Sequence, residues 1–149
     1  MLSDKDHMRR AIAVARANLG KTAPNPVVGC VIVRDGVILA EAATAPGGRP
    51  HAEEQALRGI DASGATAYVT LEPCGERSSG AASCSLLLVK AGIGRVVIAC
   101  EDPSPYAAGQ GSERLTAAGV PVEIGLLADE AFATLHYQAW KDAVNGHQP

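Results

Sequence analysis

Thr66-Ala67-Tyr68-Val69-Thr70-Leu71 runs directly into Glu72-Pro73-Cys74. The first six residues are rich in β-branched and aromatic side chains, which fit a pleated surface, and they read as a strand. Pro73 has no amide hydrogen to give to a sheet and marks the strand's end. From here the pattern alternates. Ser83 to Ala91 reads as a helix, Arg95 to Ala99 as a strand and Ser112 to Ala118 as a helix. Val120 to Ile124 reads as a strand and Ala128 to Val144 as one last helix. Strands alternating with helices pair in parallel, and the helices cover both faces of the sheet.

Upstream, Val27 to Val33 is a continuous apolar run, as in a strand buried on both faces. Asp35-Gly36 is a two-residue hairpin signal, so Val37 to Ala42 returns antiparallel. Before it, Met8, Ala11, Ile12, Ala15 and Leu19 recur at helical spacing, with Ser3 and Asp6 as a capping box and Gly20 as a stop. Thr44 to Pro50 is loop, and His51 to Arg58 a short helix ending at Gly59. The expected fold is α/β with three layers, α/β/α. Its mixed sheet has about five strands, an opening hairpin plus parallel strands.

A chain of 149 residues with 47% hydrophobic content supports one domain over residues 1–149. No apolar run is long enough to cross a bilayer, and Met1 to Arg10 lack the apolar stretch of a signal peptide. The expectation is a cytoplasmic protein with reduced thiols, which argues against a disulfide framework of Cys30, Cys74, Cys84 and Cys100. A net charge of −3 and 3% aromatic residues disfavour a nucleic-acid partner and favour a small molecule.

On this map the chemistry falls at helix starts and strand ends, where ligands bind in open α/β sheets. His51 opens one helix, Cys74 follows a strand, and Cys84 opens the next helix. One imidazole and two thiolates make a zinc site, and three protein ligands leave a fourth position open, as in catalytic sites. Zinc brings the pKa of its water to about 7, and Glu53, two residues past His51, is placed to shuttle protons. His-x-Glu followed by Pro-Cys and a second cysteine is the signature of zinc-dependent base deaminases. Cys30 and Cys100, in apolar strands, read as small buried hydrophobes. His7 reads as solvated, His136 as a packing residue and His147 as part of the tail.

The chain resembles the deaminase domain of bacterial riboflavin biosynthesis, within the cytidine-deaminase-like fold, from about Met8 to about Ala131. The resemblance rests on Gly20-Lys21-Thr22-Ala23-Pro24-Asn25-Pro26-Val27-Val28-Gly29, Pro50-His51-Ala52-Glu53 and Tyr68 to Cys74. It continues through Asp102-Pro103-Ser104-Pro105, Gly109-Gln110-Gly111 and Leu115 to Val120. It implies Zn2+ on His51, Cys74 and Cys84, Glu53 as proton shuttle, Asn25 at the substrate, and a pocket shaped by the Asp102 to Gly111 loop. It also implies a homodimer or higher homo-oligomer.

The chain departs from the family between the cysteines. Gly75 to Ser83 is one residue longer than usual and lacks a histidine and a double proline. Thr44 stands where a histidine is usual. Thr44, Glu76 and Arg77 are therefore candidate substrate-binding residues alongside Asn25 and Asp102. A gain of Glu76 weakens phosphate binding, and Lys21, Arg49 or Arg77 compensates. The implied reaction replaces an exocyclic amine on a pyrimidine-type ring with oxygen. The implied substrate is 2,5-diamino-6-ribosylaminopyrimidinone 5'-phosphate, with any reduction left to another polypeptide. The alternatives are a different free base, nucleoside or pterin-like ring, or a non-catalytic binding module on the same fold.

Overall fold

The computed structural model describes residues 2–73, 83–103 and 109–146. Helix α1 (Asp4–Arg16) starts at the expected capping box: the Ser3 hydroxyl accepts the Asp6 amide at 3.2 Å and the Asp6 carboxylate accepts the Ser3 amide at 2.9 Å. Strands β1 (Gly29–Arg34) and β2 (Val37–Ala43) form the hairpin. Its turn residues Asp35 and Gly36 both have positive φ, which the two-residue turn requires. Then come α2 (Ala52–Leu57), β3 (Thr66–Leu71), α3 (Cys84–Lys90), β4 (Arg95–Cys100), α4 (Gln110–Ala117) and β5 (Val122–Ile124), with α5 (Ala128–Thr134) and α6 (Tyr137–Gly146) last.

The sheet order is β2-β1-β3-β4-β5. β1 is antiparallel to both neighbours, and β3, β4 and β5 are parallel. Successive residues of β1 serve opposite faces. Val31 and Val33 meet Met8, Ala11, Ala131 and Tyr137 on one side. Cys30 and Ile32 meet Ala52, Ala56, Leu88 and Leu115 on the other. Burial on both faces explains why this strand is a continuous apolar run rather than an alternating one. The three-layer α/β/α expectation, with a five-stranded mixed sheet, holds.

Four expectations are corrected. The last helix is two, because His136 adopts φ +56° between α5 and α6. His136 is exposed there rather than packed. His7 is buried, not solvated: a spacing of four residues aligns it with Ala11 and Ala15, and its ring lies 5.1 Å from that of Tyr68. The fifth strand begins at Val122, because Pro121 has no amide to donate.

Candidate active site

The antiparallel placement of β1 brings its amino end beside the carboxyl ends of β2 and β3, at the same edge of the sheet where the parallel β4 ends. Four segments therefore converge on one rim: Asn25 to Val28 before β1, Thr44 after β2, Glu72 after β3 and Asp102 after β4. A cavity opens there, with Asn25, Thr44, His51, Glu53, Glu72 and Asp102 as its polar wall and Pro26, Val28, Leu71 and Trp140 as its apolar wall.

His51 is the N-cap of α2 and Cys84 the first residue of α3, where Ser83 caps the helix by accepting the Leu86 amide at 3.2 Å. These two helix starts bring His51 Nδ1 to 3.3 Å from Cys84 Sγ. Zinc bonds of about 2.05 Å to nitrogen and about 2.3 Å to sulfur, at a tetrahedral angle, put two ligands about 3.5 Å apart. The pair thus fits a shared ion without rearrangement. Cys74 lies outside the described residues, one position past the fully buried Pro73. Among the described residues the group able to hold a metal is His51, Glu54 and Cys84, with ligand atoms within 4.8 Å of one another. Glu54 is close because its carboxylate accepts the His51 amide at 3.2 Å, closing the first turn of α2. Glu53, by contrast, turns into the cavity wall and is buried.

Asn25 is fixed by a bond from its Nδ2 to the Gly48 carbonyl at 3.1 Å. Thr44 joins the wall through a structural bond, its hydroxyl accepting the Val28 amide at 2.9 Å. Asp102 lines the cavity, whereas Glu76 and Arg77 lie outside the described residues. Lys21 and Arg49 are exposed, and no Lys or Arg is among the described wall residues. Burial, reinforced by the nearby Glu53 carboxylate, pushes the Cys30 thiol well up. Burial likewise lifts Cys100 to about 11. Both remain protonated thiols inside the core, in line with the packing role expected of them.

Three residues escaped sequence reading. Gln55 donates from Nε2 to the carbonyls of Ala43 at 2.7 Å and Pro50 at 3.0 Å, tying the loop before His51 to α2. Glu72 accepts the backbone amides of Asp102, Gly109 and Ser112. Trp140 comes from α6; as the chain's only tryptophan in an aromatic-poor sequence it carried a compositional hint but no motif.

Residues 1–100 match the family described as the cytidine and deoxycytidylate deaminase zinc-binding region. The chain belongs to that family. Within it, the chain is 50% identical over 134 residues to the riboflavin biosynthesis protein RibD of Actinobacillus pleuropneumoniae, an alignment covering 89% of this chain and 35% of that protein. It is 43% identical over 132 residues to the diaminohydroxyphosphoribosylamino-pyrimidine deaminase of Buchnera aphidicola, covering 87% of this chain and 89% of the relative. The solved structure of Acinetobacter baumannii RibD superposes with a TM-score of 0.89 at 44% identity, covering 98% of this chain and 41% of that one. This family member thus spans about a third of the RibD of Actinobacillus pleuropneumoniae and nearly all of the Buchnera deaminase. The resemblance read from its motifs is borne out, and a zinc-binding region agrees with its His51–Cys84 pair.

Proposed function

We propose that this chain is a zinc-dependent hydrolytic deaminase of an aminopyrimidine, with 2,5-diamino-6-ribosylaminopyrimidinone 5'-phosphate as substrate. The observation that carries the reading is the meeting of His51 Nδ1 and Cys84 Sγ at 3.3 Å, with His51 and the buried carboxylate of Glu53 in the wall of one cavity. The diaminopyrimidine deaminase relative supports the choice of ring.

His51, Cys84 and Cys74 would hold the ion. When bound, zinc supplies acidity, lowering the pKa of water to about 7. Glu53 takes a proton from the attacking water and relays protons to the substrate. The bond from ring carbon to amine breaks and a bond to the water's oxygen forms. One of the water's hydrogens ends on the ring nitrogen and the other on the departing ammonia. Asn25, its Nδ2 held by Gly48, offers Oδ1 to a substrate N–H. Thr44 and Asp102 shape the polar wall, and Trp140 lies against the ring as an apolar plate. Glu76 and Arg77, outside the described residues, stay candidates for the substrate, with Arg77 as the cation for the ribose phosphate. The reaction takes place in the cytoplasm, in a homodimer or larger assembly; the exposed Val37 and Ile38 of the edge strand β2 support self-association.

The test is ammonia release across aminopyrimidines and aminopurines, each with and without ribose phosphate. Release confined to the diaminopyrimidine ribose phosphate is the expected result; turnover only of another ring refutes the substrate. Glu53→Gln should keep zinc and lose about 10²–10⁴-fold in turnover. Full turnover in that variant removes Glu53 from the mechanism.

A further inference from the structure

Glu72 is a buried carboxylate that the proton transfers leave unused. It lies one residue past β3 and is 5% exposed. Its Oε1 accepts the amides of Asp102 and Gly109, both at 3.1 Å, and its Oε2 accepts that of Ser112 at 3.1 Å. Gly109 is the N-cap of α4 and has no side chain to cap it with. The first amides of a helix lack partners inside it, and their positive end favours an anion. The carboxylate reaching across from β3 supplies what Gly109 lacks.

A second observation is steric. A Cβ on Gly111 would lie 1.8 Å from the Pro73 carbonyl oxygen, so the first turn of α4 rests directly on the Glu72–Pro73 corner. That corner supports α4 on one side and leads into Cys74 on the other. Asp102, whose amide Glu72 holds, lines the cavity, as does Glu72 itself.

We propose that Glu72 is a substrate-positioning residue, its carboxylate fixing Asp102 in the cavity wall and the start of α4 against the Glu72–Pro73 corner, so that substrate affinity depends on it. This rests on the deaminase reading above. The decisive variant is Glu72→Gln, which keeps the shape but turns an amide N–H toward at least one of the three donors. Losing an interaction made equally in the ground and transition states raises KM and spares kcat, so KM should rise about tenfold while kcat stays within about threefold. Zinc content should not change. Hydrogen exchange at the amides of Asp102, Gly109 and Ser112, followed by NMR without substrate, should accelerate. Gly111→Ala leaves the carboxylate intact but lifts α4 from the corner, and should give the same kinetic split. Active wild-type protein with unchanged KM in both variants overturns the proposal, as does a fall in kcat alone. Wild-type protein inactive on every substrate overturns the deaminase reading instead. In that case, faster exchange at the three amides in Glu72→Gln still supports the clamp, and unchanged exchange overturns it.

Discussion

Tyr137→Phe removes one oxygen atom and leaves the ring in place, yet it should be among the more damaging conservative changes in this chain. Tyr137 is 1% exposed. Its hydroxyl donates to the Val27 carbonyl at 2.7 Å and pairs with the Thr70 hydroxyl at 2.8 Å, and Thr70 in turn accepts the Gly29 amide at 3.0 Å. Burial holds the phenol neutral across the working pH range. In the variant the Val27 carbonyl loses its donor and the Thr70 hydroxyl its partner, away from water. Two lost bonds with partners left buried cost about 2–3 kcal/mol. For a chain of this size that is a fall of about 5–10 °C in Tm, and about 1 M or more in urea midpoint. Urea unfolding followed by Trp140 fluorescence measures it directly. Thr70→Val closes a double-mutant cycle, in which the double variant should lose less than the sum of the two singles. A Tyr137→Phe loss below about 0.5 kcal/mol, the range of an ordinary surface change, would refute the claim that this hydroxyl joins α6 to the sheet.

Three further outcomes follow from the site and its surroundings. Cys84→Ala should lose the bound zinc measured on purified protein, whereas Cys100→Ala, a protonated thiol in the core, should keep about one zinc per chain. Asp4 is held down to about 2 by hydrogen bonds from Arg95 and then Tyr68. Because its folded pKa lies below the unfolded value of 3.8, its stabilisation is present above about pH 4 and disappears as pH falls toward 2. Its side chain is 41% exposed, so solvent screens the gain, and thermal melts of wild type and Asp4→Asn should differ modestly at pH 6 and coincide near pH 2. Substrate binding should change Trp140 emission in the metal-loaded Glu53→Gln variant, and an unaltered spectrum at saturation would remove Trp140 from the binding wall.

The parts of the fold legible in the sequence are those that local chemistry decides. Thr66–Leu71 is a strand within its expected bounds, and Asp35-Gly36 turns the hairpin through two positive φ angles. The helix starts at His51 and Cys84 follow from Pro50 and Ser83 just before them. What the sequence concealed depends on distant partners. Residues 128–144 read as unbroken helix, yet the chain turns at His136 so that Tyr137 reaches Val27, 110 positions away. His7 sits among charged neighbours that mask its place on the buried face of α1, where it meets the ring of Tyr68. Glu72 looks like a motif spacer until its three amide donors from a later segment are in view. The convergence of His51 and Cys84 was legible, because both positions open helices at the same end of the sheet.

The seat of Trp140 on α6 sets an order of assembly. A chain made from its N-terminus holds both His51 and Cys84 long before residue 140 has been added. On a growing chain the imidazole and thiol are therefore made before the tryptophan that lines one side of the cleft. The wall of the cavity is complete only when α6 is in place.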